Sequence, residues 1–274
     1  MIKKPESQSD ESYSSMKQET LTFEETSIAK KPKRKQSGEV SSSALLSSHT
    51  GDNSDLFPRI LDLHVAVGSR IADVTYSKGV FWRNVDVTRY TFFPSDIKTG
   101  VDARQLPYDD NSLDAVVFDP PYMEGLLRTV DTELAGSGSH ASFRNYYSDG
   151  NGQKNETYKY HDRVIDLYML SAVEARRVLR SGGIYIVKCQ DEVSANRQKL
   201  THVELIYGYE RLGFYCKDLF VITRSNKPVV SRMIKQEHAR KNHSYFLVFV
   251  SCKGQKMPYS NFRKMLDSYQ VDDI

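Results

Sequence analysis

The stretch Phe118-Asp119-Pro120-Pro121-Tyr122 decides how the rest of the chain is interpreted. It follows Leu113-Asp114-Ala115-Val116-Val117, an apolar run rich in β-branched residues that predicts a buried strand. Two prolines end that strand because proline has no backbone N–H to donate and a fixed φ. The turn therefore presents Asp119 and Tyr122 at the carboxyl end of a strand, where open α/β sheets bind their ligands.

This turn offers groups suited to holding an aromatic amine. The Asp119 carboxylate and the Pro120 carbonyl both accept hydrogen bonds, so together they can grip the two hydrogens of an amino group on a ring. Tyr122 offers a flat face on which that ring can stack, and we expect its ring to matter more than its hydroxyl. The alternative is an ordinary strand-ending turn.

Asp-Pro-Pro-Tyr at 119–122 resembles the catalytic motif of S-adenosylmethionine-dependent DNA methyltransferases that modify exocyclic amino groups, N6 of adenine or N4 of cytosine. The resemblance implies S-adenosyl-L-methionine as cofactor and the catalytic residues Asp119, Pro120, Pro121 and Tyr122. It also implies an α/β, Rossmann-like class I methyltransferase fold: a mostly parallel seven-stranded sheet, helices on both faces and a C-terminal antiparallel strand. The implied activity is site-specific DNA methylation, as in restriction–modification systems, on a duplex with a flipped base.

A cofactor loop is predicted after the first strand, Ser69–Val74. An acid followed by a tight glycine-containing loop resembles the first cofactor motif of the same family, where backbone must approach the cofactor closely. The resemblance implies Asp73, Thr75 and Gly79 as cofactor-binding residues. Ser77 departs from the pattern, because glycine is expected there and a serine is costly if φ is positive. An ordinary strand-to-helix turn is the alternative.

Two further acids extend the resemblance. The apolar run 90–94 leads to Asp96, and in the family an acid after the second strand accepts from the cofactor ribose hydroxyls. Asp102-Ala103 opens a segment typical of these enzymes, which implies that Asp102 accepts from the cofactor adenine amino group, with Ala103 beside it as a cofactor-binding residue. The ordered series Asp73, Asp96, Asp102 and Asp119 is more specific than any one member.

Hydrophobic periodicity predicts the elements around these motifs. Residues 55–62 predict a short helix and residues 161–179 an amphipathic helix closed by a glycine C-cap at 181–183. A further helix is predicted at 199–212. Strands are predicted at 183–189, 214–223 and 244–250, and the last two are expected to form an antiparallel hairpin.

Composition predicts where the folded domain lies. The chain has 274 residues, 39% of them hydrophobic, and a net charge of +3. We expect one methyltransferase domain at 55–254, between a disordered polar and basic tail at 1–54 and a C-terminal tail at 255–274. The cluster Lys30–Lys35 is interpreted as a nuclear address, a phosphate-contacting arm or a solvated charge run.

The sequence also argues against a membrane partner, a secretory signal and a metal site. No run of 18 apolar residues exists, so no membrane partner is expected, and the polar N-terminus predicts no secretory signal. Cys189, Cys216 and Cys252 lie in apolar, strand-like contexts and predict reduced core residues, hence a cytoplasmic location, or a nuclear one in a eukaryote. His238 and His243 lack companion ligands at metal spacing, so no metal site is predicted.

DNA is the expected partner, and two segments suit it. Residues 123–160 are predicted to form a long loop in which Arg144–Tyr147 suits phosphate contact and base stacking, and residues 224–243 are densely basic. A mobile insertion and a solvated face are the alternatives for these segments. For the whole protein, the rivals are methylation of RNA or of a protein glutamine amide, and a non-catalytic nucleic-acid-binding subunit, which Ser77 favours. The oligomeric state is left open.

Overall fold

The computed structural model describes residues 44–124, 147, 158, 160–224, 235–255 and 257. The strands are β1 Ser48–Thr50, β2 Arg70–Asp73, β3 Thr91–Pro94, β4 Leu113–Phe118, β5 Leu179–Cys189, β6 Glu192–Ser194, β7 Arg197–Lys199, β8 Phe214–Thr223 and β9 His243–Ser251. The α-helices are α1 Asn53–His64, α2 His161–Val178 and α3 Thr201–Arg211, and short 3₁₀ turns lie at Val80–Asn84, Val87–Arg89 and Ile97–Thr99.

Seven of these strands form one sheet in the order β1-β8-β9-β5-β4-β2-β3, and β6 and β7 form a separate hairpin. Neighbours in the large sheet run parallel, except that β9 is antiparallel to both β5 and β8. This is the Rossmann-like class I methyltransferase sheet that the sequence predicted, including its C-terminal antiparallel strand.

Strand β4 shows why the sheet is covered on both faces. Val116 and Phe118 belong to the core layer that contains the buried residues of α2 and α3. Ala115 and Val117 belong to the layer that contains α1. A parallel strand buried on both sides needs a nearly continuous apolar run, and 113–118 supplies it. The prediction of helices on both faces is therefore confirmed.

Helix α1 is tied to the loop that follows β2. It buries Leu56, Phe57, Ile60 and Leu61, a helical stripe that packs on the sheet. Pro58 inside the helix has no N–H for the Ser54 carbonyl. The side-chain amide of Asn84 donates to that carbonyl instead, at 3.1 Å. The helix thereby supports the segment that carries the predicted cofactor loop.

Strand β1 lies inside the segment 1–54 that the composition assigned to a disordered tail. It pairs in parallel with the end of β8, from Ser48 opposite Val221 to Thr50 opposite Thr223. Three polar residues form a strand here because an already folded neighbour supplies the hydrogen bonds, and no hydrophobic pattern marks them in the sequence. Residues 1–43, with the cluster Lys30–Lys35, and residues 258–274 lie outside the described residues. No described helix is long and apolar enough to cross a membrane.

Candidate active site

The site lies where the order of the strands reverses. Strand β2 is flanked by β3 on one side and β4 on the other, so the carboxyl ends of these strands open a crevice. A cleft of about 340 Å³ occupies it. It is lined by Asp73, Thr75, Tyr76, Ser77, Lys78, Val80, Phe81, Trp82, Asp96, Ile97, Lys98, Asp119, Pro120, Pro121, Tyr122, Tyr147 and Arg224. The predicted acids of the first, second and catalytic strands therefore meet in one cleft.

Asp73 anchors the loop after β2. Its side chain is 4% exposed, and Oδ1 accepts from the Thr75 backbone N–H at 2.9 Å. Oδ2 accepts from the indole Nε1 of Trp82 at 2.6 Å. Burial raises the pKa of Asp73 to about 7, although the donors from Trp82 and Thr75 act in the opposite direction. This carboxyl group thus holds two points of the loop together.

Thr75 connects the loop to the Asp119–Tyr122 turn, which the sequence predicts to be the catalytic turn. Its hydroxyl lies 3.3 Å from Asp73 Oδ1, to which it donates, and accepts from the Asp119 backbone N–H at 2.7 Å. A single side chain therefore fixes the distance between the ends of β2 and β4. The sequence predicted Thr75 as a cofactor-binding residue, and its contacts give it this bridging part as well.

The Asp119–Tyr122 turn, predicted to be catalytic, contains a contact that the sequence prediction did not anticipate. The Tyr122 hydroxyl donates to Asp119 Oδ1 at 2.7 Å. Burial raises the pKa of Asp119 to about 6, while the Tyr122 hydrogen bond and the charges of Lys188 and Arg224 lower it. The expectation that the hydroxyl of Tyr122 matters less than its ring stays a prediction, and this contact with the Asp119 carboxylate argues against it.

Asp96 sits at the end of β3 and begins the turn Ile97–Thr99. Its Oδ1 accepts from the Lys98 backbone N–H at 3.0 Å, and its own N–H donates to the Thr99 hydroxyl at 3.0 Å. The backbone N–H of Thr99 also donates to the Asp96 side chain, which completes a capping box. Asp96 lines the cleft, and because a carboxylate offers about four acceptor positions it can still accept from a ligand hydroxyl.

The loop backbone explains the departure at Ser77. Ser77 has φ +45°, so a serine occupies a left-handed position that glycine prefers. Gly79 has φ +61°, and a Cβ there would lie 2.5 Å from the Tyr76 hydroxyl oxygen. The loop accordingly tolerates no side chain at 79 unless Tyr76, which itself lines the cleft, moves.

Replacing Gly79 by alanine should therefore distort the loop, and Gly68→Ala is the matched control. Gly68 also has a positive φ, +85°, but nothing lies within 4 Å of its added Cβ. Both changes should lower the free energy of unfolding by about 1–2 kcal/mol for the left-handed backbone. Gly79→Ala should lower it by about 1 kcal/mol or more beyond that, through overpacking against Tyr76. Urea unfolding measures both, and equal losses in the two variants would contradict the Tyr76 contact.

Three residues predicted to bind cofactor do not line the cleft: Gly79, Asp102 and Ala103. The Asp102 carboxylate accepts from Arg104 Nε at 3.0 Å and Nη2 at 2.7 Å, because the guanidinium two residues on reaches both of its oxygens. Ala103 is 1% exposed and packs in the core. The Arg104 guanidinium carbon lies 5.9 Å from the ring centre of Tyr147, which does line the cleft. The role of Asp102 as the acceptor for the cofactor adenine amino group thus remains a prediction. It requires the Arg104 guanidinium to move away from the Asp102 carboxylate.

The sequence did not predict several residues that line the cleft, notably Trp82 and Arg224. Arg224 follows β8 and lines both this cleft and a second one of about 380 Å³. The second cleft is lined by Gly51, Asp52, Asn53, Asp55, Ile222, Arg224 and Ser244. The sequence marks Arg224 only as the start of the basic stretch 224–243, of which residues 225–234 lie outside the described residues. Its position beside Asp119 follows from the hairpin of β8 and β9 and has no local signal.

No protein-family model matches the sequence, and no curated protein matches it. Solved structures resemble the fold. A candidate DNA modification methylase from Thermus thermophilus, in complex with S-adenosyl-L-methionine, is 16% identical with a TM-score of 0.34, over 71% of this chain and 61% of that one. A SAM-dependent methyltransferase from Methanosarcina mazei is 9% identical with a TM-score of 0.41, over 70% and 97%. TrmN from Thermus thermophilus is 15% identical with a TM-score of 0.39, over 72% and 48%.

These are similarities of fold. The chain spans about three fifths of the length of the first of these proteins, 61%.

Proposed function

We propose that this protein is an S-adenosylmethionine-dependent methyltransferase that acts on the exocyclic amino nitrogen of a base in DNA, N6 of adenine or N4 of cytosine. The observation that carries the proposal is the Asp119 carboxylate at the end of β4, in one cleft with Asp73 and Asp96. A carboxylate in a half-buried, aromatic-lined cleft suits the gripping of an amino group, and the Asp-Pro-Pro-Tyr sequence resembles turns that do so.

The cleft has the donor and acceptor groups that this cofactor requires. Its carboxyl groups suit a cationic sulfonium and ammonium, and the Asp96 carboxylate suits a ribose hydroxyl. Lys78, Lys98 and Arg224 suit the cofactor carboxylate or a substrate phosphate. Phe81 and Trp82 give flat apolar walls. Asp73, Thr75 and Asp96 are the residues that we assign to holding the cofactor, with Asp102 and Ala103 as predictions.

When bound, S-adenosyl-L-methionine supplies an electrophilic methyl group. Asp119 accepts a hydrogen bond from the target amino group, which draws electron density onto nitrogen and makes its lone pair more nucleophilic. The Pro120 carbonyl is the second acceptor. With a pKa of about 6, Asp119 is mostly ionised at neutral pH and basic enough to receive the proton that leaves nitrogen. The Thr75 hydroxyl accepts from the Asp119 backbone N–H and so fixes the position of Asp119 relative to the loop after β2.

The nucleic acid is proposed to approach from the Arg224 side of the cleft. Arg224 is exposed and stands between the two clefts, where its guanidinium can pair with a phosphate. Asp52 and Asp55 disfavour a phosphate deeper in the second cleft. In the family, Asp with Tyr in this turn is associated with DNA, whereas RNA and glutamine substrates often accompany Asn or Trp.

The experiment that tests the proposal offers purified protein and S-adenosyl-L-methionine to DNA, to RNA and to a glutamine-containing peptide in parallel. Mass spectrometry of the digested products identifies the methylated unit. We expect N6-methyladenine or N4-methylcytosine from DNA. Methylation of RNA or peptide alone would overturn the substrate assignment. Cofactor binding without any methylation would favour the non-catalytic subunit.

Tyr122→Phe gives a prediction on pH dependence. The variant removes the hydroxyl that donates to Asp119, so the pKa of Asp119 should rise above its value of about 6. Fewer molecules then carry the ionised acceptor at pH 6, whereas at pH 8.5 nearly all still do. We expect the acid limb of the rate–pH profile to move upward by about half a pH unit or more. An identical acid limb in wild type and variant would show that the hydroxyl leaves Asp119 when substrate binds.

A further inference from the structure

Lys188 is an unusual residue for its place, the last position but one of β5. Its side chain is 1% exposed, and Nζ donates to the Ser244 hydroxyl at 2.5 Å. The ammonium also lies 4.4 Å from the ring centre of Phe246. In the described part of the chain no carboxylate forms a salt bridge with it. A lysine is almost never fully buried without a compensating charge, so another group must favour its presence.

Strand register identifies that group. Phe118 of β4 pairs with Val187 of β5, so Asp119 and Lys188 are the next residues on two adjacent parallel strands. Val117 and Ile186, two residues before them, both belong to the core layer that contains α1. Because side chains alternate along a strand, Asp119 and Lys188 leave the sheet on that same face. Lys188 does not line the cleft, whereas Asp119 does.

We propose that Lys188 is a positioning residue, which acts from beneath the catalytic turn to hold the Asp119 carboxylate in its ionised, hydrogen-bond-accepting form. The inference rests on the proposed function of Asp119 and assigns a second residue to it. Because Lys188 is buried and does not line the cleft, it acts through its charge in a water-poor environment, where charges interact strongly. Ser244 and Phe246 fix where that charge lies.

The electrostatics agree with this geometry. Burial lowers the pKa of Lys188 to about 8, and the charge of Asp119 opposes that decrease. Burial raises the pKa of Asp119 to about 6, and the charge of Lys188 opposes that rise. Between about pH 6 and pH 8 both groups therefore carry their charges. Among the described residues, the other titratable or charged groups that interact with this pair are Tyr122, Cys189, Arg224, Asp73, Tyr147 and Tyr168.

The test is a direct titration by carbon-13 NMR, with labelled aspartate and lysine side chains. Lys188→Met keeps the length of the side chain and removes the charge, and Lys188→Arg keeps the charge. We expect the pKa of Asp119 to rise by about one unit in Lys188→Met and much less in Lys188→Arg, since a nearby opposite charge shifts a carboxyl by about 1–3 units. An unchanged Asp119 pKa in Lys188→Met would overturn the proposal.

A reciprocal measurement covers the case in which Lys188→Met does not fold. In Asp119→Asn, an isosteric change at the cleft, the pKa of Lys188 should fall by the same amount, because coupling between two sites is reciprocal. A Lys188 that titrates identically in wild type and Asp119→Asn would also overturn the proposal.

The pH dependence of the methylation rate provides a third test of the role of Lys188. If the proposed function holds, the acid limb of the methylation rate moves upward in Lys188→Met with little loss at pH 8.5, whereas a purely structural lysine would lower the rate equally at all pH values. Reciprocal coupling in the titrations with no methylation of any substrate would overturn the proposed function alone and leave the coupled pair standing.

Discussion

Replacing Asp119 by asparagine is expected to lower the methyl-transfer rate at least about 100-fold, the usual loss when a preorganised charge-stabilising group is removed. Asparagine keeps the shape of the side chain and one carbonyl oxygen, but it brings an amide that donates towards the target amino group. It also removes the charge that the proposed chemistry needs. The Thr75 hydroxyl contacts the backbone of residue 119, so the turn itself should stay in place.

Affinity for S-adenosyl-L-methionine should change little in Asp119→Asn, because the cofactor is assigned to the loop after β2 and to Asp96. Calorimetry measures that affinity, and single-turnover assays measure the rate. Asp109→Asn is the control, since Asp109 is an exposed acid on the approach to β4 and should keep full activity. An Asp119→Asn variant that retains more than about a tenth of the wild-type rate would remove Asp119 from the chemistry.

Replacing Asp73 by alanine should abolish tight cofactor binding. The change leaves the Trp82 indole N–H and the Thr75 backbone N–H without their acceptors. At pH 8, where a carboxyl group with a pKa of about 7 is mostly ionised, hydrogen bonds to this charged acceptor contribute about 1.5–3 kcal/mol each. The loop should therefore lose about 3 kcal/mol or more at that pH, which is roughly 100-fold in affinity for a ligand that needs this loop. The link from Thr75 to the catalytic turn should loosen as well.

Trp82 allows the same contact to be followed without ligand. It is the only tryptophan in the chain, so intrinsic tryptophan emission reports on it alone. Since the pKa of Asp73 is raised to about 7, we expect the emission to change with a midpoint near pH 7. The transition should vanish in Asp73→Asn and persist in Asp119→Asn. Emission that is independent of pH, together with unchanged cofactor affinity in Asp73→Ala, would contradict the anchoring role of Asp73.

The parts of the site that sequence could predict are those with a local signal. Alternating or continuous apolar runs locate β2, β3 and β4, and an acid or a pair of prolines marks where each ends. Asp73, Asp96 and Asp119 then meet because the carboxyl ends of parallel strands share one edge of the sheet. Local reasoning was wrong at 181–183, where it expected a glycine C-cap. Helix α2 passes directly into β5 at Leu179, and Gly182, with φ +76°, lies within that strand.

The rest depends on contacts between distant parts of the chain. Trp82 reaches Asp73 only because the turn Val80–Asn84 folds back over the end of β2. In the sequence, Lys188 is only one polar residue in an apolar strand. The strand register of the folded sheet places it beside Asp119. Strand β1 is polar throughout and exists through its pairing with β8. Each of these follows from long-range packing, which composition and periodicity do not encode.

The most direct test of the account is to locate the transferred methyl group on a labelled target. Duplex DNA that carries nitrogen-15 at the exocyclic amino positions of adenine and cytosine is incubated with the protein and carbon-13-methyl cofactor, and the product is analysed by NMR. We expect a methyl carbon directly coupled to nitrogen-15, formed by wild type and not by Asp119→Asn, as the proposed function requires. A methyl carbon without that coupling, on a ring carbon or ring nitrogen, would contradict it.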